Sequence, residues 1–212
     1  NLGSQKEDIL LKSRNHCQEA IRLASKLKIP YYSIHAGFCI DPSPSSLGKN
    51  VGGFSVNSFS QVKDTFLKEI SELASFSSTC NVKLLIENNV TSKNTFEKYK
   101  GKNILLMSDL EDSIDLLHNL PSNVGWLCDV AHLKVSAKSF GYDPLELIEK
   151  YSNFIKGYHL SDNNGFEDSN KPFTPTSWFT QYLKPVDYVS IEVYDTLESI
   201  KNCWVAAKGI FE

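Results

Sequence analysis

The chain is 212 residues long, 41% hydrophobic and 22% charged, with a formal net charge of −3. That is a globular balance of one domain's size, and it excludes disordered and fibrous classes. Of the 22 basic residues only Arg14 and Arg22 are arginine, so a guanidinium-rich nucleic-acid face is not expected.

No apolar run approaches the roughly 18–20 residues that cross a bilayer, and residues 1–8 lack the basic-then-apolar order of a secretory signal. A soluble, cytoplasmic protein with no membrane partner is expected. The five cysteines, Cys17, Cys39, Cys80, Cys128 and Cys203, form no Cys-x-x-Cys pair and read as reduced packing residues.

In chain order, the apolar spacing of residues 9–27 predicts an amphipathic helix. A short strand follows at 31–34. Residues 37–58, with Pro42, Pro44, Gly48, Gly52 and Gly53, make a long connection that is either a substrate-covering loop or a surface insertion. Helical spacing returns at 59–75, and strands are expected at 82–86, 124–128, 155–158 and 188–191. Helices are expected at 110–120, 143–151 and 196–207, with a short one at 178–183. The strands are almost continuously apolar, which suits a parallel sheet covered on both faces. Strand and helix alternate, so the fold class is α/β.

Each expected strand runs into a residue that can bind a metal or move a proton: His35, Glu87, Asp129, His159 and Glu192. These are the C-terminal strand ends, where β/α sites lie. A lone carboxylate after a strand is usually a helix cap, but a set of them at one mouth would repel unless a cation neutralised it. Glu87, Asp129, His159 and Glu192 form a set rich in hard oxygen, suited to one divalent ion: Mn2+, Mg2+ or Co2+, with Zn2+ admissible. Their separations of 42, 30 and 33 residues place each ligand on a different strand. His132 can lean over the same mouth to polarise a substrate oxygen or bind a further metal. His16 and His118 lie in helical stretches and read as structural. Asn88 and Asn89 either orient Glu87, bind a substrate hydroxyl or form an Asx-turn. Lys134, Lys138 and Lys171 are near enough in sequence to contact a phosphate. Dinucleotide, nucleoside-triphosphate and serine-hydrolase motifs are absent.

Taken in order, Ile34-His35-Ala36-Gly37, Ile86-Glu87-Asn88-Asn89, Cys128-Asp129-Val130-Ala131-His132, His159-Leu160-Ser161-Asp162-Asn163 and Ile191-Glu192 resemble the xylose isomerase-like TIM barrels. That superfamily includes sugar isomerases and epimerases and the endonuclease IV enzymes. The resemblance implies a (β/α)8 barrel lacking its first three strand-helix units. Residues 1–212 would be a single domain, about the C-terminal two-thirds of a full barrel of about 250 residues or more. An open parallel edge would then invite self-association into a homo-oligomer.

The resemblance further implies that Glu87, Asp129, His159 and Glu192 hold the metal. Glu87 and Glu192 would also transfer protons on opposite faces of a small sugar, sugar phosphate or polyol, through an enediolate. His132 would contact substrate, and Asn89 and Asp162 would bind it. The alternative activity is a zinc-dependent apurinic-site phosphodiesterase, with His35, His132 and Asp168 serving a second metal or the substrate. Against it, Asp168-Ser169-Asn170 carries an amide where endonuclease IV has a histidine. A non-catalytic relic is the third reading. No arginine follows His159, a departure from many of the epimerases.

Overall fold

A computed structural model describes residues 1–43 and 53–211. Five parallel strands, β1 (Tyr31–His35), β2 (Lys83–Glu87), β3 (Val124–Asp129), β4 (Ile155–Leu160) and β5 (Tyr188–Ile191), lie side by side in chain order. Helices α1 (Glu7–Lys26), α2 (Phe59–Thr79), α3 (Lys93–Lys98), α4 (Leu110–Asn119), α5 (Val130–Phe140), α6 (Pro144–Lys150) and α7 (Leu197–Phe211) fill the crossovers and flanks. The result is the five-stranded half of a barrel, as the alternation and the family resemblance led us to expect.

The middle strands β2, β3 and β4 are buried along nearly their whole length, whereas β1 and β5 are half-exposed as edge strands. Trp126, Tyr158, Phe66 and Phe179 are the largest fully buried side chains and fill the space between sheet and helices. The two edge strands meet across the concave face. Tyr31 Oη donates to Asp187 Oδ2 at 2.8 Å, and the Tyr31 and Tyr188 rings lie 5.8 Å apart.

Two helices escaped the periodicity. α5 starts directly after β3 with no loop, and seven of its eleven residues are buried, so it has no polar stripe to mark it. Its start is set by Asp129, whose side chain accepts from His132 N, and its end by Gly141 in the left-handed region at φ +80°. α3 is a six-residue turn capped by Ser92. The short helix expected at 178–183 is a single 3-10 turn, Thr180–Tyr182.

Within the long connection, Cys39 N donates to Ile104 O at 2.8 Å and Asn57 N to Cys39 O at 2.8 Å. Pro44, Gly48 and Gly52 lie outside the described residues. Among the described residues no helix is long and apolar enough to cross a membrane.

α1 and α2 are joined by Arg14, which donates to both carboxylate oxygens of Glu69, from Nε at 2.6 Å and Nη2 at 2.5 Å. The Glu69 side chain is 1% exposed. Substituting Arg14→Ala strands that carboxylate and is expected to lower the unfolding free energy by about 3 kcal/mol in urea titrations. Arg22→Ala, which removes only an exposed cation–π contact to Phe76, should cost less than about 1 kcal/mol.

Candidate metal centre

The register sets the site. His35 pairs with Glu87 across β1 and β2, and Asp129 with His159 across β3 and β4, while Glu87 pairs with Leu127, so the second pair of strand ends stands two residues beyond the first at one mouth. Glu192 follows β5 directly, its N–H donating to Leu160 O at 3.0 Å. Loops of irregular length need not cooperate, because each ligand is carried by a strand end or the residue after it.

Glu87 stands at the centre. Its Oε1 lies 3.3 Å from His159 Nδ1 and 3.6 Å from His132 Nδ1, and its Oε2 lies 3.9 Å from His35 Nε2. His159 Nδ1 is also 3.1 Å from Glu192 Oε1 and 3.8 Å from Asp129 Oδ2. His132 Nε2 reaches Asp129 Oδ2 at 3.8 Å and Asp168 Oδ2 at 3.2 Å. Two triads result, Glu87–Asp129–His159 and His35–Glu87–His132, each with its ligand atoms within 4.8 Å of one another. Glu87 belongs to both. Glu87, Asp129, His132 and His159 are buried, while His35, Asp168 and Glu192 form the more open rim.

The donor set fits a divalent cation, and one atom makes the case. His159 Nδ1 is buried without a properly directed hydrogen bond, although three carboxylate oxygens stand within 3.8 Å of it. Ligand atoms facing a common centre, rather than one another, give that pattern.

Electrostatics tell the same story of crowded charge. Burial pushes the Asp129 carboxyl up to about 6, with Glu87 and Asp168 adding to the effect and His132 opposing it. Burial works against a charged His132, but Asp129, Asp168 and Glu87 hold its proton to about 10. For Glu87, burial is outweighed by His159, His35 and His132, which keep its carboxyl below the ordinary range. His159 is raised because Glu87, Glu192 and Asp129 outweigh its burial. The imidazoles supply the positive charge that four carboxylates need.

Asp129 is both the helix cap expected of a lone carboxylate and a member of the cluster. Its Oδ1 accepts from His132 N at 2.8 Å and its Oδ2 faces the histidines. The two roles use different oxygens. Asp168 arrives on the loop after β4, which is fastened to α5 by Lys134, whose Nζ lies 2.6 Å from Asp162 Oδ1, and by Asn163 Nδ2 donating to Ala131 O at 2.9 Å.

Asn89 and Asp162 do not join the cluster around Glu87. The Asn89 amide donates to Ala36 O at 3.0 Å and Leu106 O at 2.8 Å, tying neighbouring loops together. Asp162 is held by Lys134 and by Asn163 N. Lys138 lies over the Phe166 ring at 3.5 Å, so it and Lys134 are both engaged by the protein. His118 packs edge-on against Tyr151 and Phe154, in the structural role expected of it.

The sequence matches the xylose isomerase-like TIM barrel family over residues 1–195. No curated protein matches it. Among solved structures, a D-tagatose 3-epimerase-like protein is 20% identical with a TM-score of 0.70, the match covering 98% of this chain and 72% of that one. The IOLI protein with a bound zinc atom is 14% identical with a TM-score of 0.66, covering 98% and 72%. D-psicose 3-epimerase from Clostridium cellulolyticum H10, with D-tagatose, is 13% identical with a TM-score of 0.62, covering 99% and 73%. At these identities the likeness is one of fold.

Because Asp129 and His159 hold protons more tightly than usual, a cation must displace them. Mn2+ affinity is therefore expected to rise from about pH 5.5 to about pH 8, by up to about tenfold per unit for each proton released. Calorimetry in buffers of different ionisation enthalpy counts those protons; a pH-independent affinity would contradict the assignment.

Proposed function

Since the chain belongs to the xylose isomerase-like TIM barrel family, we propose that it is a divalent-metal-dependent sugar isomerase or epimerase. Its metal is held by Glu87, Asp129, His159 and Glu192. The observation that carries this reading is the convergence of three carboxylates on the partnerless Nδ1 of His159. Three oxygens and one imidazole nitrogen suit Mn2+, Mg2+ or Co2+, and Zn2+ is compatible.

A bound divalent cation supplies Lewis acidity, stabilising negative charge that develops on substrate oxygens. The proton chemistry belongs to the protein. Glu87 enters the mouth from β2 and Glu192 from beyond β5, three strands away in the sheet. Placed on opposite sides of a bound sugar, one carboxylate takes the proton from carbon beside a carbonyl, giving the enediolate, and the other returns one to the opposite face. His132, held protonated by its acidic neighbours, donates a hydrogen bond to a substrate oxygen. His35, on the rim, is the second substrate contact. The expected substrate-binding roles of Asn89 and Asp162 become indirect in this proposal, as supports of the walls around the mouth.

The substrate class is a small-molecule sugar. Lys134 and Lys138 spend their charge on the protein, which favours an unphosphorylated ligand. Exposed Leu23 on α1, Leu27 just after it, and Trp204 and Val205 on α7, helices that pack on the two edge strands, support a homo-oligomer.

A second reading, a zinc-dependent apurinic-site phosphodiesterase, draws on the His35–Glu87–His132 triad with Asp168 beside it. Asn170 in place of a histidine leaves that outer set short of a ligand, and both arginines lie on α1.

Glu192→Gln should cut sugar epimerisation, followed by NMR as solvent deuterium entering the carbon beside the carbonyl, by about 10²–10⁴-fold. The thermal midpoint should stay within a few degrees. Undiminished exchange in that variant would refute the proposal. Incubation of the zinc-loaded protein with abasic duplex DNA is expected to give no strand scission; scission would install the second reading.

A further inference from the structure

Asn88 takes no part in the proton chemistry above, yet it is 1% exposed and touches two of the cluster's side-chain bearers. The ladder between β2 and β3 ends at the pair Glu87 and Leu127. One residue further on, the Asn88 carboxamide reaches across to β3 in place of the main chain. Its Oδ1 accepts from Asp129 N at 2.9 Å and from Trp126 Nε1 at 3.0 Å, while its Nδ2 donates to Asp129 O at 3.0 Å. The amide orientation is settled by its partners. A flipped carboxamide would set an NH2 group against two N–H donors and an oxygen against a carbonyl.

The Asn88 main chain completes the arrangement, its carbonyl lying 3.0 Å from His132 Nδ1. A carbonyl oxygen can only accept, so that nitrogen carries a proton and Nε2 is the atom turned towards Asp129 and Asp168.

We infer that Asn88 is the positioning residue of the candidate centre: its side chain fixes the backbone that bears Asp129, and its carbonyl fixes the imidazole of His132. The inference rests on the proposed metal centre for its functional meaning. An asparagine is suited to the task because it offers a donor and an acceptor with amide geometry, matching the N–H and C=O of one residue. Alanine would leave the N–H of Asp129 and the indole of Trp126 without partners among buried groups, and Asp129 O with only the first bond of α5.

The test has two arms. In the metal-free protein, Asn88→Ala should speed hydrogen exchange of the Asp129 amide at least about tenfold relative to the neighbouring β3 amides. Asn88→Asp, which keeps both acceptor contacts but sets a second oxygen against Asp129 O, should slow exchange only to a rate between those of Asn88→Ala and the wild type. In the metal arm, Asn88→Ala should weaken Mn2+ binding by about tenfold or more. Tyr142→Phe, which removes a hydrogen bond to Ser108 O away from the cluster, should leave Mn2+ binding within about twofold. Independently of any variant, the long-range 15N–1H spectrum of the wild type should show His132 protonated at Nδ1.

Unchanged exchange at Asp129 in Asn88→Ala, Mn2+ affinity equal to that of wild type, or a deprotonated Nδ1 would each overturn the inference. If the wild type takes up no Mn2+ at all, the metal-centre reading fails on its own, and the exchange and tautomer measurements still decide whether Asn88 holds Asp129 and His132.

Discussion

The structure depends on charge brought together at one end of a parallel sheet. Glu87, Asp129, Asp168 and Glu192 share a mouth with three histidines, and unpaired carboxylates at such short range would repel strongly in a largely dry site. Their charge is offset in part by imidazoles, which is why His132 and His159 hold protons more tightly than usual. A divalent cation at the shared point does the same job with better geometry, since it attracts every oxygen at once. Staggered parallel strands make the gathering feasible, because each strand end, or the residue just past it, contributes one side chain to the same mouth.

Below that mouth, the scaffold reuses backbone chemistry. Asp129 starts α5 with one oxygen and faces the cluster with the other, so the helix and the candidate ligand are positioned by a single residue. The cap also brings His132 back over the strand end within one helical turn. Asn88 continues the β2–β3 pairing past the point where the strands diverge. Rigidity at the centre thus comes from hydrogen bonds to main-chain groups, which move less than side chains do.

Much of this could be read from the chain. Strand positions fell within one or two residues because short apolar, β-branched runs are a local signal, and the ligand-bearing strand ends followed by adjacency. Other features were hidden. α5 is buried on most of its circumference, so the amphipathic period that marks α1 and α2 is missing there. Asn88 and Asn89 were indistinguishable as a pair of amides. In the fold, consecutive residues point to opposite sides, one towards β3 and the other towards Ala36 and Leu106. The lysines after Asp129 lie close in sequence to the mouth, yet two of them are spent on the following loop.

The sequence by itself determined the strand and helix alternation and which strand ends carry carboxylates and imidazoles, since both are properties of neighbouring residues. Only the tertiary structure decided which atoms face which. The choice of ring nitrogen in His132 and the surroundings of His159 Nδ1 are set by groups 30 or more residues apart, and the two oxygens of Asp129 join a local cap on His132 N to a distant contact with His159. Strand register fixes those relations, and no local pattern in the chain encodes it.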